Sequence, residues 1–381
     1  MRNVLRGLAL CLAASGIASA AFAQGTVNTP RVHALTNVRI VQSPGVVINN
    51  GTVVIRDGLI EAVGASVAIP PDARVWELDS LTVYPGMIDL AMEVSPPSTD
   101  DKKDTETLGH ALSVVRSDYA AGAQLALSDS DISARRNEGI LSARILPNKG
   151  AFRGQAAFLN LGDGSLAENL IKKSCGQVVA FGTASDDAYP NSGMGSVAAI
   201  RQTFYDARWY DQAQSSYAAN PRGKERPEPN AALAALLPAM SGETPFIFVT
   251  DDVLDLLRAG NMGKEFGLSF TYVGSGEEYK RSDDIRPFAA SSNLVVPVAF
   301  PKAPSVDDEG SALSVSTSTL RAWRDAPSNP AQLANAGLTY ALSARNLKDV
   351  GSFRKNIGKP VEAGLSANTA LAAGTTVPAR M

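Results

Sequence analysis

Two carboxylates and one histidine are the side chains whose types and spacing could do metal chemistry in this sequence. Asp89 and Glu93 lie four residues apart in the apolar stretch 83–94, and His110 follows in the stretch 107–111. Carboxylate oxygens with a single imidazole suit one hard divalent cation, which can activate a water molecule for hydrolysis. The sequence therefore allows a mononuclear metal site, with Asp89 and His110 as candidate catalytic residues and Glu93 as the candidate metal ligand.

Few other residues could complete such a site. Apart from His110 the chain has one histidine, His33, which lies far from this region in sequence. Lys149 follows Pro147 and Asn148 in a loop and is interpreted as a solvated lysine. No cofactor is therefore expected, unless the minimal site is active and holds a divalent metal.

Other catalytic motifs are absent from the sequence, which contains no G-x-S-x-G, P-loop or C-x-x-C pattern. The acidic run 100–104 lacks the alternating ligands and the glycine of a calcium loop, and it is interpreted as a solvated loop. Asp251 and Asp252 follow a predicted strand and are interpreted as helix caps. Cys175 is the single cysteine outside the N-terminal leader, which excludes an intramolecular disulfide and indicates a structural thiol.

The composition fits a secreted globular protein. Residues 1–23 combine Arg2 and Arg6 with an apolar run and an Ala-Phe-Ala site before Gln24, which is the pattern of a signal peptide. The predicted location is therefore the periplasm or the cell exterior, with no membrane association after cleavage. Of the 381 residues 45% are hydrophobic, and the formal net charge of −3 gives no electrostatic reason to expect a nucleic-acid partner.

Two patterns divide the rest of the chain. Residues 24–81 contain short runs rich in valine and isoleucine, and Asp57-Gly58 between two such runs predicts a hairpin. Four or five antiparallel strands of a partial β-sandwich are expected there. Residues 82–381 alternate strand-length apolar runs with helical segments, which predicts an α/β domain, a TIM-type (β/α) barrel. An open doubly wound sheet is the alternative, but no G-x-G-x-x-G motif supports it.

The barrel elements can be placed from these patterns. Strands are predicted at 140–146, 177–182, 246–250, 269–273, 294–300 and 338–343. Helices are predicted at 105–123, 196–219, 231–240, 253–266, 317–325, 330–336 and 349–363. An alternating run at 152–161 predicts a hairpin inserted near 151–165, and an aromatic segment at 205–229 predicts a second insertion. Such insertions either shape a ligand pocket at the barrel mouth or pack against a helix.

The sequence resembles the amidohydrolase superfamily, whose members use metal ions to hydrolyse C–N and related bonds. The resemblance rests on residues 50–64, on the Pro-Gly-Met-Ile-Asp run that ends at Asp89, and on residues 364–381, which are similar to the last barrel helix of the family. It is closest to a secreted bacterial branch with the same Phe-Arg-Gly-Gln run. It implies a barrel joined to a small β-sandwich, and it predicts that the sandwich lacks its C-terminal strands, since complete members continue beyond the position of Met381.

The resemblance also implies where a metal should bind. In the family a His-x-His pair follows Asp89 at the mouth of the first barrel strand, and here its two positions are Ala91 and Glu93. Val273 stands where a later ligand histidine is common, and Arg345 stands where the general-base aspartate is expected. An arginine cannot accept a proton from a metal-bound water. The family pattern further gives Asp89 a supporting role at the strand end.

Three functional hypotheses follow. The preferred one is a secreted amidohydrolase-like protein that has lost metal-dependent hydrolysis and binds either a ligand at the barrel mouth or a second polypeptide that completes the β-sandwich. The second is an active hydrolase of C–N bonds other than peptide bonds, with one metal held by Asp89, Glu93 and His110. The third is a truncated, non-functional remnant.

Overall fold

The computed structural model describes residues 31–96, 109–124, 127–184 and 188–381. The predicted signal peptide, the acidic run 100–104 and the start of the predicted helix at 105–123 lie outside the described residues. By internal contacts the chain divides into two units. One contains residues up to Gln42 and Val46–Tyr84, and the other contains Ser43–Gly45 and Pro85–Met381.

The first unit carries a five-stranded β-sheet. Its strands are β1 (Val32–Ser43), β2 (Val46–Arg56), β3 (Leu59–Gly64), β4 (Arg74–Glu77) and β5 (Thr82–Val83). The antiparallel strands β2 and β3 are joined by Asp57 and Gly58, whose φ angles are 50° and 80°. The predicted hairpin is confirmed, because these two residue types tolerate the left-handed conformation that a tight hairpin turn needs.

The pairing around β1 corrects the expectation of a purely antiparallel sheet. Both β4 and β5 pair with β1 in parallel, on the side of β1 away from β2. Parallel neighbours need a long connection, and β2 and β3 lie between β1 and β4 in the sequence. Strand patterns in the sequence report where strands lie, but they do not report which strands become neighbours.

The second unit is a TIM-type barrel. In order around the barrel its strands are β6 (Met87–Val94), β7 (Ile140–Pro147), β9 (Ala157–Asn160) with β8 (Phe152–Gln155), β11 (Gln177–Ala180), β12 (Phe246–Val249), β13 (Phe270–Val273), β14 (Leu294–Pro297) and β15 (Ala341–Ser343). β6 pairs in parallel with β7, and β11 to β15 pair in parallel in sequence order. Each strand that the sequence predicts after residue 139 overlaps one of these strands.

Residues 152–160 are part of the barrel wall and not an inserted hairpin, so that prediction is wrong. β8 pairs antiparallel with β11, and β9 pairs antiparallel with β7, which places this run between two parallel strands. The hairpin of this region is formed by β9 with β10 (Leu170–Lys172). Alternation in sequence indicates a strand with two different faces, and it carries no information about the partner of that strand.

The barrel closes where β15 lies beside β6. Ser343 on β15 donates from Oγ to Oδ1 of Asp89 on β6 over 2.6 Å. The same carboxylate oxygen accepts the backbone N–H of Ala91 over 3.1 Å. A buried side-chain hydrogen bond therefore joins the first and last barrel strands.

Helices connect the barrel strands. They are α1 (Ala121–Gln124), α2 (Asp129–Asn137), α3 (Leu166–Asn169), α4 (Gly193–Ala219), α5 (Ala231–Met240), α6 (Val253–Phe266), α7 (Ser282–Ala289), α8 (Glu309–Ser314), α9 (Thr317–Asp325), α10 (Asn329–Asn335), α11 (Phe353–Glu362) and α12 (Ala367–Gly374). The predicted helices 231–240, 253–266 and 317–325 coincide with α5, α6 and α9. In the described part of the chain no helix is long and apolar enough to cross a membrane.

The helix predicted at 105–123 is wrong for its described part. Of these residues only the stretch from Ala121 onward is helical, and residues 109–120 form turns and isolated bridges. Arg116 donates its backbone N–H to the carbonyl of Phe152, and Gln155 donates to the carbonyl of Tyr119. Tertiary hydrogen bonds to β8 therefore replace the intrahelical bonds that the apolar spacing suggested.

The core has two apolar layers. One consists almost entirely of strand residues and fills the barrel interior with small and branched side chains, including Leu90, Ala91, Leu146, Val249 and Val273. The other lies between strands and helices and is rich in phenylalanine. There Phe204 of α4 packs edge-on against Phe152 and Phe246, with ring centroids 5.3 and 5.4 Å apart. These layers hold the strand ends in fixed positions.

Candidate functional site

Charged side chains converge at the carboxyl ends of the parallel barrel strands. Glu93 lies near the end of β6, Asp251 follows β12, and Arg345 follows β15. Arg153 reaches the same place from the antiparallel strand β8. This end of a TIM-type barrel carries ligand and catalytic groups. Glu93, Arg153, Asp251 and Arg345 are therefore the candidate site and are called the mouth cluster below.

Glu93 lies between the two arginines of the mouth cluster. Its Oε1 accepts a hydrogen bond from Nη1 of Arg153 over 2.8 Å. Its Oε2 lies 3.3 Å from Nε of Arg345, in a direction that makes this contact an ion pair without a hydrogen bond. The side chains of Arg153 and Arg345 are only 10% and 3% exposed. A single carboxylate is thus shared between two buried cations.

Arg345 uses the rest of its guanidinium group to join further strand ends. Nη1 donates to the carbonyl oxygens of Thr250 and Gly274, over 3.1 and 3.3 Å. Nη2 donates to Oδ1 of Asp251 over 2.8 Å. The Asp251 side chain is 74% exposed, so it offers a carboxylate to solvent at the mouth. Arg345 therefore links the ends of β6, β12, β13 and β15.

The four charges of the mouth cluster compensate one another. Burial lowers the pKa of the Arg153 guanidinium, and the nearby Arg345 acts in the same direction. The Glu93 and Asp251 carboxylates oppose this effect and raise the same pKa. Two cations and two anions make the cluster neutral overall, which is the condition under which charges are tolerated in a buried site.

The mouth does not fit the metal that the amidohydrolase resemblance implies. Ala91, at the first of the two ligand positions, is fully buried and has only a methyl group to offer. Glu93, at the second, has both oxygens in contact with guanidinium groups. Arg345 holds a cation where the general base is expected, and a second cation close to it would be repelled. Among the described residues no group of three or more His, Cys, Asp or Glu side chains could hold a metal ion.

The structure does not bring the three residues of the hypothetical mononuclear site together. Asp89 is 1% exposed, and its Oδ1 is held by Ser343 and by the backbone of Ala91. His110 accepts the backbone N–H of Leu112 at Nδ1 over 3.1 Å. The described contacts join neither residue to Glu93. Asp89 supports a strand end, which is the role that the family pattern gives to this aspartate.

His110 is half-buried, and no described contact joins it to the mouth cluster. Burial lowers the pKa of its imidazole, and the Asp206 carboxylate partly opposes this effect. The hydrogen bond from the Leu112 N–H favours the neutral ring in the same way, because a protonated Nδ1 cannot accept it. The histidine is therefore neutral at pH 7.

The remaining residues noted in the sequence have structural roles. Asp252 caps α6 by accepting the backbone N–H of Asp255 over 2.7 Å, as predicted. Asp251 is not a cap, because its carboxylate binds Arg345. Lys149 is exposed, as expected. Burial raises the pKa of the Cys175 thiol, which disfavours the nucleophilic thiolate.

A buried glutamate fixes one wall of the mouth. Glu278 is fully buried, and its Oε1 accepts the backbone N–H groups of Ser275 and Gly276 over 2.7 and 3.0 Å. Its Oε2 accepts Nδ2 of Asn329 over 2.6 Å. Glu278 lies so close to Gly274 that a Cβ atom at this glycine would collide with it. Glu278 therefore restrains the backbone of Gly274, whose carbonyl oxygen accepts a hydrogen bond from Arg345.

Sequence reasoning missed Arg153 and the pairing of Asp251. Arg153 lies in a strand whose other residues are mostly buried, and an arginine inside a buried strand is a signal for a buried partner. The signal does not name that partner, since Glu93 is 60 positions away in the chain. A cavity of about 670 Å³ lined by Phe181, Met194, Val197 and Met262 was also not anticipated, and it contains none of the mouth cluster.

Comparison with known proteins identifies the fold of the chain. No protein-family model matches the sequence, and no curated protein matches it. The amidohydrolase of Thermotoga maritima MSB8 matches with a TM-score of 0.70 and 19% identity, over 91% of this chain and 88% of that chain. A prolidase complexed with N-methylphosphonate-L-proline has a TM-score of 0.48 and 14% identity, over 92% of this chain and 87% of that one.

An ochratoxinase from A. niger is also similar, with a TM-score of 0.44 and 12% identity over 91% of this chain and 83% of that chain. These identities are too low to transfer an activity, and the two lower scores carry no argument. The first match, together with the strand order described above, establishes the architecture. The chain has the amidohydrolase fold, a TIM-type barrel with an N-terminal β-sheet domain.

Proposed function

We propose that this protein is an amidohydrolase-like barrel that has lost metal-dependent hydrolysis and acts by binding. The observation that carries the proposal is the position of Glu93, which contacts Arg153 with one carboxylate oxygen and Arg345 with the other. A metal ion bound by Glu93 would lie next to two guanidinium cations, which would repel it. Fold analogy alone does not restore an activity whose site residues differ.

The binding surface that we propose is the barrel mouth. The Asp251 carboxylate is largely exposed there, and its hydrogen bond from Arg345 holds it in one orientation. A fixed, exposed carboxylate within a neutral cluster fits a ligand with an amine or another N–H donor. We propose binding without metal-assisted cleavage, since Arg345 occupies the position where the resemblance implies the general base, and an arginine cannot accept a proton.

Elemental analysis of the purified protein tests the loss of metal chemistry. Residues 24–381 would be produced without a metal-binding tag and without chelator, and zinc, manganese and iron would be measured per protein. We expect amounts far below stoichiometric. Near-stoichiometric metal would overturn the proposal and would make Asp89, Glu93 and His110 the first residues to substitute in a hydrolase assay.

A ligand screen tests the binding half of the proposal. Thermal shifts would be measured with a panel of small primary amines and matched neutral amides, on the wild type and on Asp251→Asn. We expect stabilisation by one or more amines, and we expect Asp251→Asn to weaken it. Equal shifts for the two proteins would show that the exposed carboxylate is not the anchor.

We further propose that the protein is exported and that its N-terminal sheet accepts strands from a second polypeptide. Export is supported by the leader pattern of residues 1–23. Strand addition is supported by β3, an edge strand of the described sheet, where Leu59 and Ile60 are 74% and 69% exposed. Cell fractionation tests the location. Recovery of the native protein without an associated chain would count against strand addition.

A further inference from the structure

The guanidinium of Arg345 lies in a shell of oxygen atoms. Two are the carbonyl oxygens of Thr250 and Gly274, at 3.1 and 3.3 Å from Nη1. The third is Oδ1 of Asp251, at 2.8 Å from Nη2, and the fourth is Oε2 of Glu93, at 3.3 Å from Nε. Every nitrogen of this guanidinium thus faces at least one oxygen, and two of the four oxygens carry negative charge.

The two carbonyl oxygens of the shell are held by contacts that do not involve Arg345. Thr250 is fixed by its backbone N–H and its Oγ1, which both donate to the carbonyl of Val273 over 2.9 Å. Gly274 donates its N–H to the carbonyl of Val295 over 2.8 Å and packs against the buried Glu278. The carbonyl oxygens would therefore stay in place if the arginine side chain were removed.

We propose that these four oxygens form a binding site for a guanidinium cation, which the chain fills with its own Arg345. The two Nη nitrogens donate hydrogen bonds to three of these oxygens over 2.8–3.3 Å, and Nε forms an ion pair with the fourth. A planar cation with several N–H donors matches oxygens that come from three directions. The tethered guanidinium supplies the positive charge that the strand ends need at this position.

The inference goes beyond ligand binding at the mouth and does not depend on it. It predicts that shortening Arg345 to alanine opens a cavity lined by two carboxylates and two carbonyl groups. Such a cavity lacks a cation, so it should bind a small guanidinium compound from solution. The wild type should not bind the same compound there, because its own side chain occupies the site.

Chemical rescue tests this inference. Thermal midpoints would be measured for the wild type and for Arg345→Ala, with methylguanidinium at millimolar concentration and with sodium chloride at equal ionic strength. We expect Arg345→Ala to melt below the wild type and to regain about 5 °C on addition of methylguanidinium, in a saturable manner. Arg345→Ala combined with Glu93→Gln should respond more weakly, because one charged oxygen of the shell is then neutral.

The matched control is Arg201→Ala. Arg201 also pairs with a carboxylate, Glu265, but on the protein surface, where no closed shell surrounds it. No rescue is expected for this variant, and equal responses of the two variants would overturn the proposal. A larger shift of Arg345→Ala with calcium or magnesium than with methylguanidinium would also overturn it, by showing a metal site.

A folding defect does not block the test. If Arg345→Ala is not recovered in soluble form, it would be refolded with and without methylguanidinium, and the yield of folded protein would replace the thermal midpoint. A yield that does not depend on methylguanidinium would contradict the inference. This failure is distinct from failure of the proposed function, which is tested on the wild type by its metal content.

Discussion

Glu93 is the residue on which the electrostatics of the barrel mouth depend. Among the residues that the structure describes, it is the one carboxylate that touches both buried arginines of the mouth cluster. An unpaired charge in a buried site is far less stable than a compensated one, because the protein interior solvates it poorly. The same residue stands at a metal-ligand position of the resembled family, so one side chain explains both the stability of the mouth and its poor fit to a metal.

Replacing Glu93 with alanine should therefore destabilise the protein strongly. We expect a loss of about 3 kcal/mol in the free energy of unfolding, because Arg153 and Arg345 lose their shared partner. Urea unfolding followed by circular dichroism measures it. Glu265→Ala is the control, since the Arg201–Glu265 pair has side chains that are 45% and 34% exposed and should contribute about 0–1 kcal/mol. Similar losses for both variants would show that Glu93 has no special role.

His110 should make stability depend on pH below neutrality. Burial lowers its pKa in the folded protein below the ordinary value of 6.5. As the pH falls, the unfolded chain takes up the proton first, so stability is full above pH 6.5 and is lost as the pH falls through the folded-state pKa. Comparing unfolding at pH 7 and pH 5 for the wild type and for His110→Gln tests this. The variant should lose less stability over this range. Equal losses would mean that other groups cause the effect.

At the scale of elements, the barrel seam between β6 and β15 depends on a side chain. Asp89 Oδ1 accepts Ser343 Oγ over 2.6 Å and the Ala91 N–H over 3.1 Å. Ser343 Oγ in turn accepts the backbone N–H of Arg345 over 3.0 Å. This chain of hydrogen bonds positions the residue that fills the mouth, so a change at the seam should also be felt at the mouth.

Removing the Asp89 carboxylate should open this seam. We expect Asp89→Ala to lose about 1–3 kcal/mol for each buried donor left without a partner. Asp89→Asn keeps an acceptor oxygen and should lose less. A double-mutant cycle with Ser343→Ala, measured by urea unfolding, should show a coupling of about 0.5–3 kcal/mol. Additive losses would mean that the two side chains do not support one another.

Local patterns explain which elements the sequence could predict. A buried strand such as β12 is a continuous apolar run, and α6 has an apolar stripe, so both kinds of element are visible in a short window. α2 was missed because it has no buried residue and therefore no stripe. The sequence nevertheless marks the start of α2, because Ser128 is an N-cap residue whose side chain accepts the backbone N–H of Asp131.

The site could be predicted only in part, because its residues are far apart along the chain. Ala91, Glu93 and Arg345 were recognised as departures from a metal site, because each is compared with a family position. That Glu93 meets Arg345, and that Arg153 joins them, depends on closure of the barrel and on the antiparallel strand in its wall. A short stretch of sequence cannot show these contacts, because the three residues are far apart along the chain.

At the scale of the whole molecule, two apolar layers form most of the core of the barrel unit. The barrel interior and the layer between strands and helices both consist of fully buried apolar side chains. Burial of apolar surface is the dominant favourable term in folding. The mouth is held by a guanidinium group that belongs to the chain, and a covalently attached cation cannot be removed by a chelator.

Unfolding should therefore be cooperative and insensitive to chelator. We expect the thermal midpoint of residues 24–381 to be the same with and without EDTA, measured by scanning calorimetry at matched ionic strength. A metal present at a hundred times its dissociation constant would add about 2.7 kcal/mol, which corresponds to a shift of several degrees that the experiment resolves easily. A midpoint that falls in EDTA and recovers with zinc would contradict both the proposed loss of metal chemistry and the assignment of Arg345 as the cation of the mouth. A broad transition without a defined midpoint would instead support the remnant hypothesis, because a chain that packs the core described here should unfold as a cooperative structure.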